Sequence, residues 1–151
     1  MSGFVLHIAD IAPAIGARLI GGDMPITGVS TDSRSVAPGD LFVAIRGENF
    51  DGHKFAEAAI ARGAVAAITS TEIVGLRIPQ LVVDDTRFGY GRLAKFWRRQ
   101  FTAPTLALTG SNGKTTVKEM LRSILVAHTG DPGAALATEG NLNNDIGVPL
   151  M

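Results

Sequence analysis

The 151-residue sequence has no cysteine, no excess of charge of either sign and no long apolar run. Without cysteine, neither a disulfide framework nor a cysteine-based zinc site can form. Fourteen basic residues balance fourteen acidic ones, so the chain lacks the overall basic field that indicates a nucleic-acid partner. No stretch reaches the length of a membrane span, and the first residues lack the basic start and apolar core of a signal peptide. These absences predict a cytoplasmic globular protein without a nucleic-acid or membrane partner.

Short apolar segments alternate with helical patterns through the first hundred residues. Strands are expected at 26–31, 41–45, 65–69 and 81–83, and helices at 6–17, 54–62 and 87–101. This order and spacing predict an α/β fold with a parallel sheet. The third helix carries five basic side chains, and the zero net charge favours a solvated face over a nucleic-acid surface. A break at Asp84 and Asp85 predicts two domains, 1–84 and 85–151.

A glycine-rich turn separates an expected strand at 106–109 from an amphipathic helical pattern. The turn consists of Gly110, Ser111, Asn112, Gly113, Lys114, Thr115 and Thr116. Glycines let backbone amides approach an anion, and a helix N-terminus adds partial positive charge, so we expect these residues to bind a nucleotide. Lys114 is the expected catalytic lysine at the terminal phosphates, and Thr115 the expected Mg²⁺ ligand. Leu108 stands where the general pattern has its first glycine. The alternative is a turn that binds nothing, which Lys-Thr at the helix start disfavours.

Three segments carry a family resemblance. The first is GVSTDSR at 28–34, continued by PGDLFVAIRG at 38–47 and FDGHKF at 50–55; the second is TGSNGKTTVKEM at 109–120; the third is TEGNLNNDIGVP at 138–149. Together they resemble the ATP-dependent Mur ligases of bacterial peptidoglycan synthesis. The resemblance implies a small N-terminal α/β UDP-binding domain, followed by the truncated start of a P-loop ATPase-type α/β domain.

The second and third segments are similar to the branch that joins D-alanyl-D-alanine to UDP-N-acetylmuramoyl-tripeptide. In that reaction ATP, with Mg²⁺, activates the peptide carboxylate as an acyl phosphate. One alternative is the related branch that adds a diamino acid to the UDP-N-acetylmuramoyl-dipeptide. Another is a nucleotide-binding module without ligase activity, which leaves the first 84 residues unexplained.

The resemblance also implies substrate contacts at Thr31, Asp32, Ser33, Arg34, Gly47, Asn49, His53, Thr138, Asn141, Asn143 and Asn144. Plainer roles stay open: a surface turn for the first group, a helix cap for His53, and turn formation for the asparagines. The resemblance spans about the first third of a typical member. The magnesium carboxylate and a modified lysine are therefore expected beyond Met151. We expect the chain to be inactive alone, with an open sheet edge and exposed apolar surface from about Phe101 onward.

Overall fold

The computed structural model describes residues 5–48, 50–138, 144 and 146–147. The strands in these ranges are β1 (Leu6–His7), β2 (Arg18–Ile20), β3 (Pro25–Ile26), β4 (Gly28–Ser30), β5 (Asp40–Val43), β6 (Ala66–Thr69) and β7 (Gln80–Val82). The α-helices are α1 (Ile8–Ile15), α2 (Ala56–Arg62), α3 (Thr86–Arg98) and α4 (Lys114–Thr129). Two short 3-10 helices lie at Gly52–Phe55 and Pro132–Ala134. Within the described ranges, no helix combines the length and the apolar character needed to cross a membrane.

Five strands form one sheet in the order β2-β7-β6-β5-β4. Strands β4 to β7 run parallel, which confirms the predicted α/β fold with a parallel sheet. The edge strand β2 is antiparallel to β7 and pairs Leu19 with Leu81. Sequence patterning does not reveal β2, because three residues are too few to show a period of two. Strands β1 and β3 form a separate antiparallel pair.

The sheet lies between two helical layers. Successive side chains of β5 point to opposite faces, so Leu41 and Val43 join the core beneath α1 and α3, whereas Phe42 packs with Ala59 of α2. Helix α1 buries one stripe at helical spacing, formed by Ile8, Ile11, Ala12 and Ile15. The fold is therefore a three-layer sandwich whose larger core lies on the α1 and α3 side.

Helix α3 begins at the predicted break. The Asp85 carboxylate accepts hydrogen bonds from the amides of Arg87 (2.7 Å) and Phe88 (3.1 Å), so Asp85 caps the helix. Tyr90 and Leu93 are buried in the core shared with α1 and the sheet. The domain division at Asp84 and Asp85 stays a prediction. The helix on its C-terminal side shares the core of the first domain.

The second part of the chain is more open. Residues 101–110 form no helix or strand in the described part of the chain, so the strand expected at 106–109 is wrong. A strand needs a neighbouring strand to pair its backbone groups, and none of the described strands follows β7. The open sheet edge expected here is absent from the described residues for the same reason. The exposed apolar surface is confirmed on α4 by Val117, Met120, Ile124 and Leu125.

Candidate functional site

The glycine-rich turn presents the N-terminal end of α4 to solvent. Gly110 (φ 147°) and Gly113 (φ 77°) take up backbone angles that favour glycine, and Gly113 directly precedes the helix. No described side chain caps this helix end, and its first turn carries no acidic residue. A Cβ on Gly113 would meet nothing within 4 Å. The first-turn amides are therefore open to an anion, which the positive end of the helix dipole also favours.

Lys114 folds back across this loop. Its Nζ donates a hydrogen bond to the carbonyl oxygen of Gly110 (2.5 Å), so it must exchange that acceptor to reach a phosphate. Ser111, Asn112, Thr115 and Thr116 are exposed in the same loop and first helical turn. The loop thus gathers all seven residues expected at the nucleotide, whose individual roles stay predictions.

The expected Mg²⁺ site draws less support from the fold. The described ranges hold no cluster of three or more His, Asp or Glu side chains able to bind a metal. A hydroxyl oxygen is a suitable magnesium ligand, and the Thr115 side chain lies exposed where the loop pattern puts one. Thr115 as a magnesium ligand therefore stays a prediction.

A second group of expected residues lies at the carboxyl-end edge of the parallel sheet. Thr31, Asp32, Ser33 and Arg34 follow β4, and Gly47 follows β5 four residues after that strand ends. Open α/β sheets bind their ligands in the crevice outside this edge. The topology thus brings these five expected substrate residues to the same edge.

The turn after β4 is closed by an ion pair. Arg34 Nε donates to both carboxylate oxygens of Asp32 (3.0 and 3.1 Å), and Nη2 donates to Oδ2 (2.6 Å). The backbone amide of Arg34 also donates to Oδ1 at 2.9 Å. The guanidinium hydrogen bonds hold the pKa of Asp32 down at about 2. Arg34 is 86% exposed, so a phosphate could reach it but would compete with Asp32.

His53 connects this edge to the neighbouring strand. Its Nδ1 lies 2.7 Å from Asp51 Oδ1, and its Nε2 accepts a hydrogen bond from the Ser70 amide at 2.8 Å. Because an amide can only donate, Nε2 is the acceptor and a neutral ring carries its proton on Nδ1. The hydrogen bond from His53 is also the main cause that lowers the pKa of Asp51. Both ring nitrogens are therefore engaged within the protein, and a substrate contact by His53 stays a prediction.

Asp51, His53 and Ser70 form a row that resembles a hydrolytic triad only superficially. Ser70 Oγ lies 3.2 Å from His53 Nε2, but the shorter bond from the Ser70 amide already takes that lone pair. The ring is thus not placed to accept a proton from the hydroxyl. Asp51 also accepts the His53 amide hydrogen bond (3.1 Å), as the cap of the 3-10 helix. Sequence reasoning overlooked Ser70, although a polar residue directly after a buried strand is a usable signal.

The third group of expected residues is partly described. The carbonyl oxygen of Thr138 accepts a hydrogen bond from Lys118 Nζ, one helical turn beyond Lys114. Asn144 Oδ1 accepts from the amides of Ile146 (3.2 Å) and Gly147 (2.6 Å), which is the geometry of a turn-forming asparagine. Ile146 also packs against the larger core. The remaining expected residues lie outside the described ranges: Asn49, Asn141 and Asn143.

The fold and the loop match one family of proteins along most of the chain. A model described as the Mur ligase family, catalytic domain, matches residues 25–96, and one described as the Mur ligase middle domain matches residues 108–151. The chain belongs to the Mur ligase family. The first match includes most of α3, and the second begins just before the glycine-rich turn.

Within this family the chain is similar to about a third of MurF. UDP-N-acetylmuramoyl-tripeptide--D-alanyl-D-alanine ligase of Haemophilus influenzae is 44% identical over 146 residues, which are 96% of this chain and 32% of that protein. A crystal structure of MurF from Acinetobacter baumannii has a TM-score of 0.84 at 39% identity, covering 99% of this chain and 33% of that one. The chain thus spans about a third of the length of these relatives.

Two further similarities bear on the nucleotide and on the branch. The MurF ligase of Thermotoga maritima, solved in complex with ADP, has a TM-score of 0.68 and 32% identity over 82% of this chain and 28% of that one. A UDP-N-acetylmuramoyl-L-alanyl-D-glutamate--2,6-diaminopimelate ligase of Syntrophomonas wolfei is 38% identical over 128 residues, 83% of this chain and 25% of that protein. Sequence identity alone therefore does not separate the two branches, because the D-alanyl-D-alanine ligase of Bacillus subtilis is 37% identical to this chain.

Proposed function

We propose that the protein to which this chain belongs is an ATP-dependent ligase of peptidoglycan precursor synthesis. It joins D-alanyl-D-alanine to UDP-N-acetylmuramoyl-tripeptide. The observation that carries the proposal is the open N-terminus of α4, with a left-handed glycine before it and Lys114 as its first residue. Such an end suits the phosphates of a nucleotide, and the similar MurF ligases are named for this reaction.

The loop residues fit a nucleotide triphosphate. The amides from Gly110 to Thr116 and the ammonium group of Lys114 would hold its phosphates, and Thr115 would contribute a hydroxyl to Mg²⁺. When bound, ATP supplies the phosphoryl group that activates the peptide carboxylate, which the amine of D-alanyl-D-alanine then attacks with release of phosphate. In this reaction the chain's own residues would position the phosphates and neutralise their charge, since phosphoryl transfer needs little else from the protein. Because the reaction consumes ATP, we expect it in the cytoplasm.

The sheet edge is the proposed site for the UDP part of the substrate. The Asp32–Arg34 turn offers a guanidinium to a diphosphate, and His53, in the 3-10 helix that follows β5, lies at the same edge beside Ser70. The Asp32 carboxylate keeps this guanidinium oriented and neutralised in the absence of substrate. The proposed binding therefore includes an exchange of the guanidinium from Asp32 to phosphate.

Phosphate release tests the proposal. The full-length enzyme would be assayed with ATP, Mg²⁺ and UDP-N-acetylmuramoyl-tripeptide, with and without D-alanyl-D-alanine, and the 151-residue chain would be assayed in parallel. Release that depends on the dipeptide supports the proposal, and we expect none from the short chain. Release that instead requires UDP-N-acetylmuramoyl-dipeptide and a diamino acid would move the protein to the other branch. ATP binding without turnover of either substrate would reduce it to a nucleotide-binding module.

Lys114→Ala tests the role of the loop in the same assay. Removing a preorganised cation from the developing charge should lower kcat by about 100- to 1,000-fold. Affinity for the UDP substrate should stay unchanged, because that substrate binds at the sheet edge. Arg122→Ala is the matched control, since it removes an exposed cation two turns further along the same helix. Ligation that survives Lys114→Ala at the wild-type rate would overturn the role of the loop.

A further inference from the structure

Arg98, the last residue of α3, holds the segment that leads to the glycine-rich turn at 110–116, which the proposed function makes the phosphate loop. Its Nε donates a hydrogen bond to Thr105 Oγ1 (2.8 Å), and Nη1 donates to the carbonyl oxygen of Phe101 (2.7 Å). Its Nη2 donates to Thr105 Oγ1 (2.5 Å) and to the carbonyl oxygen of Ala103. One guanidinium thus contacts three positions of the segment within seven residues of itself.

This segment needs such a partner. Residues 101–110 belong to no helix or strand in the described part of the chain, so no backbone ladder fixes their course. A planar guanidinium presents five donors in a rigid fork, and its charge is favourable at the C-terminal end of a helix. The rings of Trp97 and Phe101 meet edge to face with centroids 5.0 Å apart, which fixes the first residue of the segment to the same helix.

The fixed segment lies between the two candidate sites. Helix α3 belongs to the core of the domain that carries the sheet edge, whereas the phosphate loop begins at Gly110. Only residues 99–109 separate them along the chain. The direction in which the segment leaves α3 therefore affects how the phosphate loop is placed relative to the sheet edge.

We propose that Arg98 is a positioning residue, which sets the course of residues 101–105 and so the alignment of the phosphate loop with the substrate-binding domain. The inference rests on the proposed function, because it assigns Arg98 to a step in which groups held by two domains must meet. The hydrogen bonds of Arg98 reach neither candidate site. Its loss should therefore slow ligation without weakening the binding of either substrate alone.

Three variants of the full-length enzyme test this inference. Arg98→Ala removes the fork, Arg98→Lys keeps the charge but not the fork, and Arg99→Ala removes the neighbouring exposed cation as the matched control. The measurements are kcat, the separate Kd values for ADP and UDP-N-acetylmuramoyl-tripeptide, and hydrogen exchange of the amides that 101–105 contain, at Phe101, Thr102, Ala103 and Thr105. Arg98→Ala should lower kcat by about 10- to 100-fold and change each Kd by less than about twofold. Exchange at 101–105 should accelerate, Arg98→Lys should lie between, and Arg99→Ala should match the wild type.

The outcomes separate this inference from the proposed function. An unchanged kcat, an unchanged exchange rate, or a parallel loss of both affinities in Arg98→Ala would overturn the role of Arg98. A wild-type enzyme without ligase activity would overturn the proposed function, while the exchange data would still report on Arg98. Thr105→Val provides a second route if Arg98→Ala fails to fold, because it removes the hydroxyl acceptor and leaves α3 intact. Wild-type kcat in Thr105→Val would then overturn the inference.

Discussion

The hydrogen bond between His53 and Ser70 gives a quantitative test of what stabilises the candidate substrate edge. The His53 side chain is only 12% exposed, and its Nε2 is the acceptor for the Ser70 amide at 2.8 Å. An asparagine at position 53 can still donate to Asp51 from the position of Nδ1, but it has no atom where Nε2 lies. His53→Asn therefore removes one hydrogen bond while the other is retained.

The magnitude follows from the amide that loses its acceptor. Leaving a part-buried donor unpaired costs about 1–3 kcal/mol, which should lower the thermal midpoint of a domain of this size by about 4–24 °C. His53→Gln is the matched control, because its side-chain oxygen reaches the position of Nε2 and can accept from Ser70. It should recover much of the midpoint, which would be measured by circular dichroism together with hydrogen exchange of the Ser70 amide. Equal midpoints for His53→Asn and the wild type would refute the reasoning.

The second hydrogen bond of His53, to Asp51, has a pH signature. Its pKa lies below the usual 3.8, mainly because His53 donates a hydrogen bond to the charged carboxylate. A carboxyl group with a lowered folded-state pKa contributes stability that is fully present above the unfolded-state value and is lost as pH falls through the folded-state value. His53→Ala should therefore raise the pKa of Asp51 toward 3.8, as measured by NMR titration. An unchanged Asp51 titration in the variant would contradict this cause.

Three other tests, the first with a matched control variant, address the same domain. Gly63→Ala should destabilise the fold by more than about 1–3 kcal/mol, since φ is +111° and the new Cβ would lie 2.7 Å from Pro38 Cα. Gly75→Ala is the matched control for the backbone contribution alone, because Gly75 also has a positive φ but its Cβ would meet nothing within 4 Å. Asp32→Asn should leave the thermal midpoint at neutral pH nearly unchanged, because exposed ion pairs contribute little to stability. In the wild type the Asp32 carboxylate has a pKa of about 2, so the small stabilisation that it provides is lost only as the pH falls from 3.8 toward 2. Tyr90→Phe should leave the midpoint unchanged or raise it, because the hydroxyl has no hydrogen-bond partner among the described residues and burial raises its pKa to about 12. A lower midpoint would reveal a buried partner for that hydroxyl.

Local signals account for the parts that the sequence predicts well. The buried stripe of α1 repeats at helical spacing, Asp85 caps α3 through its immediate neighbours, and Gly113 precedes Lys114 at the start of α4. Each of these features depends on residues within one or two turns of one another. The position of the glycine-rich turn at the start of a helix could therefore be predicted from the sequence.

Non-local pairing accounts for what the sequence does not predict. Ser70 meets His53 across 17 positions, and β2 pairs with a strand some 60 residues later, so neither contact has a short-range pattern. The strand wrongly predicted at 106–109 is the opposite case, because a local pattern predicted an element that does not form. An apolar run such as Leu106 to Leu108 has strand propensity, but pairing with another strand decides whether it becomes one.

The extent of the first domain can be decided by shortening the chain. Tyr90 and Leu93 of α3 are 1% and 3% exposed in the core that also contains Ile11 of α1, whereas Ile146 is the one described residue after α3 that packs against this core. Truncating a single buried leucine or aromatic side chain costs about 2–5 kcal/mol, and a domain has a free energy of unfolding of about 5–15 kcal/mol in total. Removing all of α3 should therefore cost most of that free energy. A chain of residues 1–100 should therefore unfold cooperatively with a midpoint close to that of residues 1–151, and a chain of residues 1–84 should not fold. Cooperative unfolding of residues 1–84 would instead establish the boundary at Asp84 and Asp85 and make α3 part of the second domain.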